Sequence, residues 1–274
     1  MATWKIAAVQ MDCGLADKST NLEMMRVKLK EAAGHGARLI AFPECALTGY
    51  GFESKEEAWP HAEPIPGPST EALTGDCRWL NVWTVYGLLE RDGNRLYNAC
   101  ALVGPNGLAG CYRKIHLPCL GVDRFTDPGD RPFAVQDLGG LRIGMSICYD
   151  GGFPETSRAL TLLGADLVLL PTNWPTNAWR NPRFVVQTRA FENHVYYAAV
   201  NRVGEERGFR FIGQSRIVDC NGDLLTSTDG DTPTILYADV DPERARNKHI
   251  VNIPGKYEIN RVADRRPEMY GPLV

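Results

Sequence analysis

Residues 141–155 read "LRIGMSICYDGGFPE", an apolar run that breaks at a cysteine and a Gly-Gly pair. Alternation along an extended chain puts Leu141, Ile143, Met145 and Ile147 on one face and Arg142, Gly144, Ser146 and Cys148 on the other. This is the pattern of a buried strand that ends at Cys148. The glycines permit a sharp turn, Pro154 suits the first position of a helix, and Glu155 suits its first turn. A strand passing directly into a helix is the unit of an α/β fold. It also places Cys148 beside a helix N-terminus, where aligned peptide dipoles favour thiolate over thiol. In a chain with 8 cysteines any one of them is ordinarily a small core residue. Position alone therefore leaves Cys148 open between packing and nucleophile.

The same alternation of strand and helix extends outward in both directions. "KIAAVQM" (5–11) reads as a buried strand, and Thr20 with Glu23 has capping-box spacing for a helix that lines up Leu22, Met25, Leu29 and Ala32. Gly34 and Gly36 close that helix, and "ARLIAFPE" (37–44) is the next strand. "EPIPGPSTEAL" (63–73) is a loop running into a helix capped at Ser69. Then "VWTVYGLLE", "LYNACALVG" and "LAGCYRKIHL" follow closely as strands, the last two joined by a Pro-Asn-Gly turn. Beyond the opening stretch come a helix from about Pro154, the strand "DLVLLPTNW", a helix around 183–194 and the strand "YYAAVNRVG". A hairpin at Asn221-Gly222 and a strand near "TILYADV" complete the pattern. No linker divides the chain, so residues 1–274 read as one α/β domain with mixed sheets, and the weakly periodic last ~30 residues read as a candidate arm.

Composition narrows the function classes. The chain is 44% apolar and 23% charged, with a net charge of −3 and no long basic run, which argues against nucleic acid or an anionic membrane surface as partner. No apolar run approaches the ~20 residues that cross a bilayer. The opening "MATWKIAAVQ" lacks a secretory pattern, and the cysteines form no C-x-x-C pair, so the expectation is a cytoplasmic protein with reduced thiols.

A cysteine nucleophile needs a base and a group that holds a developing oxyanion. Glu44 ends an apolar strand directly after Pro43, where a carboxyl has its pKa raised and can take a thiol proton. Lys114, in "CYRKIHL", could stabilise an anionic tetrahedral intermediate. Read alone, Glu44 is equally an exposed strand-end acid and Lys114 a solvated edge-strand lysine.

Together, "AFPECALTGY" (41–50), "YRKIHLP" (112–118) and "ICYDGGFPE" (147–155) resemble, in order and rough spacing, the motifs of the nitrilase-like carbon–nitrogen hydrolases. The resemblance extends through "IPGPSTEAL", "DPGD" at 127–130, "RAFENHVYYAAVNRVG" and "GQSRIVDCNGD", nearly the whole chain. It implies a four-layer α-β-β-α sandwich of two mixed β-sheets that dimerises, with the C-terminal ~30 residues as a possible dimer arm. It places a Glu-Lys-Cys triad on Glu44, Lys114 and Cys148, with the Tyr149 backbone N–H joining Lys114 at the oxyanion. The implied chemistry passes through a cysteine thioester and needs no metal or organic cofactor.

The sequence departs from that family in one place. Many amidases and carbamoylases carry a second glutamate after the lysine motif. "HLPCLGVDRFTDPGD" has none: aligned on "VDR" its position falls at Gly121, and Asp123 is the nearest carboxylate. Asp123 either takes that role, or pairs with Arg124 or caps the turn. Cys-Tyr-Asp at 148–150 is amidase-like, whereas true nitrilases tend to carry Cys-Trp-Glu. Gly152 stands where some relatives have a carboxylate-binding arginine. Asn173, Trp174, Tyr50 and Phe52 are pocket-wall candidates, with packing the alternative for Trp174, Tyr50 and Phe52. Arg189, Glu192 and Asn193 read as structural, and His116 and Tyr112 share the Lys114 strand face by alternation. The expected activity is hydrolysis of a small linear amide, releasing ammonia or an amine. The alternatives are an N-carbamoyl amine or amino-acid hydrolase, a nitrilase, and a catalytically silent dimeric scaffold, which has no need to keep Glu44, Lys114 and Cys148 together.

Overall fold

The structure is a computed structural model and describes residues 3–273. In chain order the first half contains β1 (Trp4–Gln10), α1 (Lys18–Gly34), β2 (Leu39–Ala41), the short α2 (Lys55–Ala58), α3 (Pro68–Leu80), β3 (Trp83–Asp92), β4 (Arg95–Gly104) and β5 (Gly107–Arg113). The second half contains β6 (Val135–Asp137), β7 (Arg142–Met145), α4 (Pro154–Leu162), β8 (Leu167–Thr172), α5 (Val186–Asn193) and β9 (Tyr196–Asn201). There follow the small β10 (Glu205–Glu206) and β11 (Phe209–Arg210), then β12 (Arg216–Val218), β13 (Leu224–Ser227), β14 (Thr234–Val240), α6 (Pro242–Arg246), β15 (Ile250–Ile253) and β16 (Tyr257–Ile259).

Two six-stranded sheets result, ordered β14-β1-β2-β3-β4-β5 and β13-β12-β9-β8-β7-β6. They repeat one plan. In the first, β1, β2 and β3 are parallel and are flanked by antiparallel β14 and β4; in the second, β7, β8 and β9 are parallel and are flanked by antiparallel β6 and β12. The registers correspond: Ile6 faces Leu39, which faces Trp83, as Ile143 faces Leu167, which faces Tyr196. Helices α1 and α3 cross over in the first half, α4 and α5 in the second. Glu44, Cys148 and Thr172 thereby fall at or just beyond the C-terminal ends of the parallel strands β2, β7 and β8, the side on which open α/β sheets bind ligands.

The sheets pack face to face. Ile6, Ala8, Val85 and Leu102 of the first meet Ile143, Leu167, Leu169, Ala198 and Ile217 of the second in one core. On the outer face of the first sheet, Val9, Ile40 and Leu88 pack under Met25 and Leu29 of α1 and Leu73 of α3. Burying each such side chain contributes roughly 1.5–3 kcal/mol. On the second sheet, Leu160 of α4 lies against the backbone of Gly144, and α5 adds Val186 and Ala190. The four-layer α-β-β-α sandwich follows. Among the described residues no helix is long and apolar enough to cross a membrane.

Local details differ from the sequence reading. Helix α1 is capped by Asp17, whose carboxylate accepts the Thr20 N–H at 3.2 Å, rather than by Thr20 and Glu23. Helix α3 starts from Gly67 and Pro68, while the Ser69 N–H and hydroxyl turn to the Glu63 carboxylate. Strand β5 ends at Arg113, one residue before Lys114. The C-terminal segment forms the exposed β15–β16 hairpin and then lies along α4 and α5, where the Arg158 guanidinium donates to the carbonyls of Glu192 at 2.8 Å and Arg261 at 3.5 Å.

Candidate active site

Glu44 lies in the turn after β2, fully buried. That turn packs onto β3 at Gly87, where any Cβ would overlap the backbone of residues 43–45, so a glycine is required there. Lys114 lies one step past β5. With Ala99 opposite Arg113, the next pair is Asn98 opposite Lys114, and the Lys114 N–H donates to the Asn98 carbonyl at 2.8 Å. Both side chains therefore point the same way from adjacent strands.

They meet two carboxylates. Lys114 Nζ donates to Glu44 Oε1 at 2.6 Å and to Asp123 Oδ2 at 2.5 Å. Asn98 Nδ2 donates to the same Glu44 Oε1 at 2.7 Å and to Asp123 Oδ1 at 2.8 Å. The Tyr50 hydroxyl donates to Asp123 Oδ2 at 2.8 Å and also lies 3.0 Å from the Leu120 carbonyl. Asp123 thus faces Lys114, not Arg124, whose guanidinium goes to the carbonyls of Gly121 and Phe52. Two features bring its short side chain in: a turn over Gly121–Arg124, and the Tyr50 ring lying against Gly121, where a Cβ would overlap it. The edge-strand lysine is consequently buried, not solvated.

An ammonium has three N–H donors. Two of Lys114's are spent on the carboxylates, and one is left. Burial works against the Lys114 charge, but Glu44, Asp123 and Cys148 outweigh it and hold its pKa well above the usual lysine value. Burial pushes the Glu44 carboxyl up, against the pull of Lys114 and with the help of Asp123. Glu44 Oε2 has no partner among the described residues although it is buried. A carboxyl with a raised pKa and one free oxygen can both take up and give back a proton.

Cys148 is within electrostatic reach of both Glu44 and Lys114. It is 8% exposed, lies just past the end of β7, and opens a tight turn over Cys148–Gly152 with φ +46°, a strained left-handed conformation for a non-glycine residue. The turn is fixed from two sides. Asp150, wholly buried, accepts the Ile147 N–H at 2.9 Å, the Tyr112 hydroxyl at 2.7 Å and the His116 N–H and ring Nδ1 at 3.1 and 2.7 Å. Arg189 of α5 donates to the carbonyls of Gly151 and Gly152, each at 3.1 Å. The expected thiolate-favouring helix start is not what sets this thiol. Helix α4 begins only at Pro154, and burial, together with Glu44, pushes the Cys148 thiol up, while Lys114, the Thr172 hydroxyl and the Asn173 N–H pull it down. The thiol therefore needs a base beside it.

The remaining candidates separate. Asn173 is fully buried next to Cys148, and neither polar atom of its carboxamide has a partner among the described residues. Trp174 is core: its backbone N–H donates to Asn201 Oδ1 at 2.8 Å and its ring is buried. Tyr149 is 46% exposed and meets the Phe153 ring edge to face. His116 stacks on Phe153 and pairs with Asp150, which also accepts the Tyr112 hydroxyl. Phe52 belongs to a separate apolar cluster with Tyr50. Asn98 went unread, although an asparagine within the apolar run "LYNACALVG" was the available signal.

The sequence matches the Carbon-nitrogen hydrolase family over residues 5–249. The chain belongs to that family. This carbon–nitrogen hydrolase is 39% identical over 267 residues to a nitrilase of Pyrococcus abyssi, covering 97% of this chain and 98% of that one. It is 32% identical over 257 residues to an omega-amidase of Bos taurus, covering 88% and 90%. Among solved structures, an amidase variant from Nesterenkonia sp. AN1 superposes with TM-score 0.82 at 25% identity, covering 99% of this chain and 97% of that one; in it the acetamide moiety of fluoroacetamide is covalently added at the active-site cysteine.

Proposed function

We propose that this carbon–nitrogen hydrolase is an amidase that cleaves small linear amides through a thioester on Cys148. One observation carries the reading: the free Oε2 of Glu44 and the unspent third N–H of Lys114 belong to groups beside a thiol whose pKa is raised. Glu44 Oε2 takes the thiol proton as sulfur attacks the amide carbon. The S–C bond forms, and the carbonyl electron pair moves to oxygen, held by the third Lys114 N–H and the Tyr149 backbone N–H. Collapse of this intermediate breaks the C–N bond, and Glu44 returns its proton to the departing nitrogen, releasing ammonia or an amine. Water then gives a proton to Glu44 and attacks the thioester; the sulfur leaves and recovers the proton, and the acid departs. Asp123 supplies the second negative charge that keeps Lys114 an ammonium in a buried place. The omega-amidase and amidase relatives support this reading. The protein works as a homodimer in the cytoplasm, with the C-terminal segment as its arm.

A second reading, nitrile hydrolysis by the same thiol, has the Pyrococcus abyssi relative in its favour. Ammonia release from matched panels of amides, nitriles and N-carbamoyl compounds decides between them. Amides are expected to turn over first. Faster nitrile or N-carbamoyl turnover would transfer the assignment to that class, and no release from any panel would favour a scaffold.

A further inference from the structure

Glu44 has two chemically equivalent oxygens in very different places. Oε1 receives Lys114 Nζ at 2.6 Å and Asn98 Nδ2 at 2.7 Å, while Oε2 receives nothing. A carboxyl whose Oε1 is held by two donors carries its proton on Oε2. Lys114 alone does not ensure this, because an ammonium is a compact charge that a carboxylate can pivot around. Asn98 supplies the second, directional bond.

The orientation of the Asn98 amide is itself forced. Its Nδ2 lies 2.7 Å from Glu44 and 2.8 Å from Asp123, so reversing the amide would set an acceptor oxygen against two acceptors. Its Oδ1 instead lies 3.6 Å from the Cys45 Sγ, which can donate to it. Asn98 is almost wholly buried and paired backbone to backbone with Leu89 on one side and Lys114 on the other. It therefore does not drift.

We propose that Asn98 is a positioning residue that assigns proton transfer to Glu44 Oε2, by holding Oε1 and at the same time bridging the two carboxylates that share Lys114. This rests on the reading of Glu44 as the base. It makes Asn98 part of the machinery without contact to substrate.

The test uses two readouts on the wild type, Asn98→Leu and Asn98→Ser. The first is kcat and KM for an amide across pH. The second needs no amide: the pH dependence of Cys148 modification by methyl methanethiosulfonate, read by peptide mapping. Losing the Asn98 donor removes a bond that favours the ionised carboxylate, so the acid limb of both profiles moves to higher pH in Asn98→Leu. The loss in kcat is on the order of 100-fold, with KM within about 3-fold, the scale expected of a misplaced catalytic group. Asn98→Ser, with a single hydroxyl donor, falls between, and it carries the test if Asn98→Leu does not fold. Unmoved acid limbs, or a loss confined to KM, would overturn the proposal. A wild type that hydrolyses no amide but whose thiol-modification limb still moves in Asn98→Leu would sink the amidase reading and leave Asn98 as the orienting group. Amide hydrolysis with unmoved limbs would do the reverse.

Discussion

Lys114 Nζ stands 2.5 Å from Asp123 Oδ2 and 2.6 Å from Glu44 Oε1, so one buried ammonium serves two carboxylates. Three charged groups with almost no solvent access persist only if every one of them is paired. The two carboxylates are not equivalent. Asp123 has its oxygens occupied by Lys114, Asn98 and Tyr50, whereas Glu44 keeps Oε2 unpartnered. That asymmetry separates a charge-holding acid from a proton-moving one.

Asp123→Asn is expected to lower kcat on the order of 100-fold, because Lys114 loses one of the anions that keep it charged and in place. It also costs roughly 1–3 kcal/mol of stability, since a buried hydrogen-bonded charge is removed. The three partners of Asp123 give the reason for that loss. Chemical denaturation alongside amide turnover checks both halves, and a near-normal rate would leave Glu44 as the one essential carboxylate.

Tyr50→Phe removes the bonds to Asp123 and the Leu120 carbonyl but keeps the ring against Gly121. About 1 kcal/mol of stability is lost and turnover stays within about 10-fold, because Lys114 and Asn98 still hold Asp123. Thermal melts with parallel kinetics measure this.

Gly121→Ala is the more damaging change. Its Cβ overlaps the Tyr50 ring, and the φ of +49° is unfavourable for any residue with a Cβ. Turnover is expected to fall further than in Tyr50→Phe, since the ring, Leu120 and Asp123 all shift. Equal activity in the two variants would show that the loop adapts without moving Asp123.

The acid limb of kcat/KM is expected above the ordinary carboxylate range, near ~4.3 for an unperturbed glutamate. The sign follows from burial: the Glu44 carboxyl is pushed up, it acts as a base only when ionised, and activity is therefore lost as pH falls through that raised value. A limb at the ordinary glutamate value would mean that another group limits the rate.

The strands on either side of the nucleophile were legible because they are buried on both faces and read as continuous apolar runs. Position left Glu44, Lys114 and Cys148 each open to a bland reading; the three motifs taken together, through their resemblance to the nitrilase-like carbon–nitrogen hydrolases, singled them out. The helix starts were less so: Asp17 and Gly67 win the caps over Thr20 and Ser69 because Thr20 supplies an N–H and Ser69 is drawn to Glu63. Three-dimensional closure hid the rest. That Asp123 reaches Lys114 depends on Tyr50 packing against Gly121 across 71 positions of chain, and that His116 and Tyr112 share Asp150 depends on the turn after Cys148 meeting β5. Asn98 was readable in principle, as a polar residue inside a buried strand, but its two partners come from separate loops.

Acid-quenched peptide mapping during turnover of a small amide looks for the covalent acyl intermediate on Cys148 itself. The peptide carrying Cys148 is expected to gain the mass of the acyl group and to lose it on treatment with hydroxylamine, as a thioester does. Sustained amide hydrolysis with an unmodified Cys148 under hydroxylamine-free quench, and with no hydroxamate formed when hydroxylamine is present, would contradict it.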